Sequence, residues 1–143
     1  MPFAYQIHKQ DAVYFLTMTA VEWVEVLSRR EAKQLICDSL NHCIEQKGLE
    51  VFAYVIMSNH LHLVVRARQG NLSDIVRDFK KYTSSALIRM LRQPGESRRE
   101  WLVPLLEKGG NRQKKMSRHQ LWQYNNHAEV VFSSQFARIK INY

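Results

Sequence analysis

The sequence predicts an α+β fold in which an antiparallel sheet carries its helices on one face. Three observations predict it. β-branched and aromatic residues come in short strand-length runs, two long stretches place apolar residues at helical spacing, and the two kinds of segment alternate along the chain. At 143 residues the chain has the length of one ordinary domain, so residues 1–143 are expected to share a single core.

The first strand is expected over Ala12–Ala20 (AVYFLTMTA), whose imperfect alternation fits burial on both faces. Ser28 and Glu31 then give the Ser-x-x-Glu pattern of a capping box. Ala32, Leu35, Ile36, Leu40, Cys43 and Ile44 recur at helical spacing up to Gly48, a C-terminal cap, so the first helix is predicted over residues 29–47. Residues 50–57 (EVFAYVIM) and 60–67 (HLHLVVRA) read as strands two and three. Only Ser58 and Asn59 separate them, which signals a hairpin, and asparagine tolerates the left-handed conformation that a tight turn often requires.

Asn71 and Ser73 offer caps for a long amphipathic helix through about Leu91, with Leu72, Ile75, Val76, Phe79, Thr83, Ala86, Leu87 and Met90 on one stripe. Beyond the break at Pro94-Gly95, Trp101–Glu107 reads as a short helix and Gly109–Arg118 (GGNRQKKMSR) as a basic, flexible loop. Leu121–Tyr124 and Glu129–Phe132 supply a last strand interrupted by Asn125 and Asn126, and Ser133–Tyr143 a terminal helix. Strand, helix, strand, strand, helix, strand is the split β-α-β order of ferredoxin-like folds.

Lysine and arginine number 21 against 13 acidic residues, giving a net charge of +8. That balance suits a polyanionic partner such as nucleic acid, although a merely basic protein would show it too. Cys37 and Cys43 sit six apart in the first helix, roughly 120° around its axis, where they do not bridge easily. Unbridged cysteines, the lack of a basic-then-apolar leader and the lack of a membrane-length apolar run together predict a cytoplasmic protein without a membrane partner.

The feature that points to chemistry is His60-Leu61-His62 at the start of the third strand. In a strand the two imidazoles face one way and Leu61, Leu63 and Val65 the other. Two neutral imidazoles can hold a divalent metal without filling its shell. A histidine pair is weak evidence alone, since most strand histidines are simply packed or solvated. Tyr82 adds to it. At 100° per residue it lies roughly 80° from the centre of the apolar stripe, at the border of core and solvent, with Asp78, Ser85 and Arg89 on the same border. An amphipathic edge tyrosine with a wet hydroxyl has the same pattern. A metal-polarised phosphate attacked by a tyrosine hydroxyl would use both pieces. Lys80, Lys81, Arg89 and the basic loop, with Arg112, Lys114, Lys115 and Arg118, are the candidate DNA-binding cations, though a solvated helix face fits the lysines equally well.

Val55-Ile56-Met57-Ser58-Asn59-His60-Leu61-His62-Leu63, followed by Asp78-Phe79-Lys80-Lys81-Tyr82-Thr83-Ser84, resembles the single-tyrosine HUH transposases of the insertion-sequence type, especially relatives associated with repetitive extragenic palindromes (REP). Leu121-Trp122-Gln123-Tyr124-Asn125-Asn126-His127 and the tail Lys140-Ile141-Asn142-Tyr143 resemble the same subgroup. The resemblance implies a ferredoxin-like nuclease core that binds a single-stranded DNA hairpin, cuts beside it through a 5′-phosphotyrosine link and rejoins the strand elsewhere. It carries Tyr82 over as nucleophile and His60 and His62 as ligands of magnesium or manganese. Such hard ions need more than two imidazoles, so a third ligand is expected, with Asp78 or His127 as candidates. Relatives place a polar ligand one turn after the tyrosine, where this chain has Ala86, and carry proline at Ser58. Many continue past the equivalent of Tyr143, so a shortened natural member, a degenerate copy and a truncated chain are all open expectations. Tyrosines acting in their own chain and in a homodimer both occur among relatives. The rival expectations are a hairpin DNA-binding module of the same fold with impaired catalysis, and a small-ligand or regulatory domain.

Overall fold

A computed structural model describes residues 6–113 and 121–131, excluding the side chains of 107–113. The strands are β1 (Tyr14–Thr19), β2 (Leu49–Ile56), β3 (His60–Ala67) and β4 (Glu129–Val130). The helices are α1 (Arg30–Lys47), α2 (Leu72–Leu91) and α3 (Arg99–Gln113). All pairings are antiparallel in the order β2-β3-β1-β4, which is the predicted α+β, ferredoxin-like arrangement. The predicted terminal helix over 133–143 lies outside the described residues.

Strand alternation decides which face carries the core. Leu61, Leu63 and Val65 of β3 stand opposite Met18, Leu16 and Tyr14 of β1, and all six are buried. Ile36 and Leu40 of α1 and Leu72, Ile75, Phe79 and Leu87 of α2 pack into the same cluster, so these helices cover that face. A buried aliphatic side chain of this size is worth about 1.5–3 kcal/mol, so a register slip of one residue in β3 would be prohibitive. Register therefore fixes the outward direction of His60 and His62.

Several local expectations meet competing interactions. Gly48 does cap α1 in the left-handed conformation (φ 76°), its N–H donating to the Cys43 carbonyl. The capping box at Ser28 is not formed: Arg29 is the N-cap, and Ser28 Oγ donates instead to the Glu25 carbonyl at 3.1 Å. The predicted loop at 109–118 is helical as far as Gln113, because α3 runs on through Gly109 and Gly110. Its buried anchors are Leu102, Val103 and Leu106. The interrupted last strand is found as an isolated Ala20–Trp122 bridge just past the end of β1, followed by β4, which pairs with β1. Among the described residues no helix is long and apolar enough to cross a membrane.

Candidate active site

His60 and His62 stand on the sheet face turned away from α1 and α2, opposite Thr19 and Thr17 of β1. Their ring centroids are 4.8 Å apart with planes at 77°. His62 also stacks on Phe15, centroids 5.2 Å apart. Phe15 and Val64 are buried on this face and give the pair an apolar floor.

Both imidazoles engage Nδ1 within the chain. Asn59 Nδ2 donates to the Trp23 carbonyl at 3.3 Å, and Asn59 Oδ1 lies 2.8 Å from His60 Nδ1. A carbonyl can only accept, so the amide must turn Nδ2 toward Trp23 and Oδ1 toward the ring. His60 Nδ1 therefore carries the proton, and Nε2 holds the lone pair that a metal needs. Thr17 Oγ1 sits 3.0 Å from His62 Nδ1, and a hydroxyl that accepts there sets the same tautomer.

The turn that presents the pair is clamped by the segment between β1 and α1. The Leu27 N–H donates to the Ser58 carbonyl at 2.8 Å, the Ala20 N–H to the Asn59 carbonyl at 2.9 Å, and Ser58 Oγ to Glu25 Oε1 at 3.2 Å. Arg98 supports the clamp by donating to the Glu25 carbonyl at 2.9 Å, and is itself paired with Glu96 at 2.8 Å. Hydrogen bonds from the Arg98 side chain and backbone, with the Arg29 charge behind them, hold the Glu96 carboxyl down to about 2. Positive φ among described non-glycine residues occurs at Glu22, Trp23 and His127, so the left-handed conformation expected of Asn59 is found instead in the clamp.

Tyr82 is 58% exposed on α2. α2 packs on the Leu61 face of the sheet, and the imidazoles stand on the opposite face. Asp78 lies in the helical layer with Tyr82. It pairs with Lys47 of α1 at 3.0 Å and Arg77 at 3.2 Å, and the hydrogen bond from Lys47 is the main cause of a carboxyl held below its ordinary range. His127 is exposed, with φ 46°, and its N–H donates to Asn125 Oδ1 at 2.8 Å. No group of three His, Cys, Asp or Glu suited to a metal exists among the described residues. Among the described residues, Asp78 and His127 are thus not gathered into such a group with His60 and His62. Ala86 is buried beneath α2.

The expected DNA-binding cations divide. Lys80 turns inward: its Nζ donates to the Gln123 carbonyl at 2.8 Å, the Tyr124 carbonyl at 3.3 Å and Asn126 Oδ1 at 2.7 Å, and burial lowers its pKa to about 8. It fastens the segment beside β1, where a phosphate anchor was expected. Lys81 and Arg89 are exposed on α2. Arg112 belongs to α3 but its side chain lies outside the described residues, as do Lys114, Lys115 and Arg118 entirely.

Thr17 and Trp23 enter the site without having been singled out in the sequence, and Asn59, read there as a turn residue, enters it as the partner of His60 Nδ1. Thr17 was legible in principle, because an antiparallel neighbour of a histidine strand must place alternate residues beside the rings.

The fold is shared with solved structures. A REP-associated tyrosine transposase bound to a REP hairpin superposes with a TM-score of 0.66 at 13% identity, over 97% of this chain and 68% of that one. A transposase candidate from Deinococcus radiodurans R1 gives 0.58 at 22% identity, over 94% and 88% respectively. No curated protein matches the sequence. The family described as transposase, IS200-like, matches residues 10–101, a span that runs from before β1 into α3 and includes the histidine pair, its clamp and α2. The chain belongs to the IS200-like transposase family.

Proposed function

We propose that the chain binds a single-stranded DNA hairpin and acts as a metal-dependent endonuclease and strand transferase beside it. The observation that carries the reading is the paired outward histidines, with the His60 tautomer set for ligation by Asn59. His60 and His62 would hold two positions of a magnesium or manganese ion through Nε2, leaving the others to water and DNA phosphate oxygens. Such an ion, when bound, supplies charge stabilisation at the scissile phosphate. Exposed Lys81 and Arg89 would meet flanking phosphates.

Tyr82 is the proposed nucleophile. Its oxygen forms a bond to phosphorus, the bond to the 3′-oxygen breaks, and a 5′-phosphotyrosine and a 3′-hydroxyl result. A second 3′-hydroxyl then displaces the tyrosine and completes transfer. α2 packs on the sheet face opposite the imidazoles, which supports a homodimer in which Tyr82 serves the partner copy's histidines. That same separation favours a second reading, a DNA-binding module without cleavage.

A labelled hairpin with manganese separates the two. Covalent adduct formation is expected, abolished by Tyr82→Phe and by His60→Ala/His62→Ala. Mixing these two inactive proteins should restore adduct formation, since each supplies what the other lacks. An adduct that survives Tyr82→Phe rejects that nucleophile, and binding without cleavage at any manganese concentration decides for the module.

A further inference from the structure

Trp23 is the residue in the clamp that the fold does not explain. It and Glu22 adopt consecutive left-handed conformations, both with φ 56°, although neither is glycine or asparagine. Such backbone is held against its own preference. The side chain gains no compensating burial, being 64% exposed. The backbone that carries the indole is nevertheless firmly held: Val21, Val24, Val26 and Leu27 on either side are buried, the Trp23 N–H donates to the Ala20 carbonyl at 3.1 Å, and its carbonyl accepts from Asn59. Asn59 in turn contacts His60 Nδ1, so one amide separates the Trp23 backbone from the histidine pair. Strain without burial, fixed beside the histidines, suggests a presented surface.

We infer that Trp23 is a stacking platform for an unpaired nucleobase of single-stranded DNA next to the phosphate held at His60 and His62. This rests on the proposed DNA substrate. An indole face accepts any base, and an exposed, preset aromatic loses little freedom on stacking. Trp23 is thus a binding residue that sets which nucleotide lies over the histidines.

The test measures binding of a fluorescein-labelled DNA hairpin with a single-stranded flank, alongside thermal melting. Trp23→Gly relieves the left-handed strain while deleting the ring. It should melt at or above the parent temperature yet bind on the order of 10-fold more weakly. Trp23→Phe should retain most of the affinity. An abasic nucleotide at one flank position should weaken the parent and leave Trp23→Gly unaffected, because the lost partner is the same. Parent-like binding by Trp23→Gly, or a lowered melting temperature with unchanged affinity, overturns the platform alone. Failure of the parent to bind the hairpin overturns the platform together with the proposed function.

Discussion

Asn59→Ala tests the logic of the site most directly. The substitution removes the acceptor that holds the proton on His60 Nδ1 and the donor to the Trp23 carbonyl, contacts of 2.8 and 3.3 Å. Residue 59 has no positive φ, so alanine is accommodated without backbone strain. Loss of a partner that orients a metal-binding histidine typically lowers metal affinity about 10- to 100-fold, equivalent to ~1.4–2.7 kcal/mol. Both contacts lie near the surface, so the global cost should be about 0.5–1 kcal/mol, the lower part of the range for a neutral hydrogen bond. Cobalt is a suitable probe because imidazole binds it more tightly than manganese. Calorimetric titration should show the affinity loss for Asn59→Ala. Asn59→Asp still accepts from Nδ1 and should keep cobalt affinity while losing the bond to Trp23. Cobalt binding by Asn59→Ala within twofold of the parent would refute the tautomer argument.

Three further outcomes follow from described contacts. Gly48→Ala should destabilise the fold by about 1 kcal/mol, a fall of about 3 °C in melting temperature. Its new Cβ would meet neighbours only at 3.8 Å or beyond, so the left-handed φ is the whole cause. Glu96→Gln should destabilise at neutral pH, and its deficit in urea midpoint should shrink as pH falls from about 4.5 to about 2. A depressed carboxyl gives stability above its unfolded pKa and loses it as pH falls through the folded one. Lys80 has the opposite charge type but also a depressed pKa, near 8, so the unfolded chain binds more protons between about pH 8 and 10. The parent should therefore gain stability relative to Lys80→Met as pH rises through that window, and a flat difference would show that the amine is not desolvated.

Much of the fold was legible because it depends on periodicity. The His60–Ala67 strand, the Ser58–Asn59 turn and the outward pair all come from a repeat of two, and α2 from a repeat of 3.6. The misreadings arise where distant chain competes for the same groups. Ser28 looked like a cap, but the segment ahead of α1 is bent back to clamp the hairpin, and its hydroxyl goes to Glu25. Lys80 looked like a solvated cation because nothing near it in sequence reveals the carbonyls of Gln123 and Tyr124. Tyr82 is exposed on α2, and whether it serves its own chain's histidines or a partner's was open in the sequence. The leucines between and after His60 and His62 bear on that question, since a helix covering Leu61 and Leu63 leaves the imidazoles on the far side.

That division of the sheet has an evolutionary consequence. The residues that hold the fold and those that would hold the metal lie on different faces, so selection acts on them separately. A copy that loses His60 or His62 keeps its buried leucines and its helices, and on the proposed function would still fold and bind the same DNA. Loss of chemistry would thus yield a competitor of the active copies and not an unfolded chain, giving a mobile element a ready route to silencing itself.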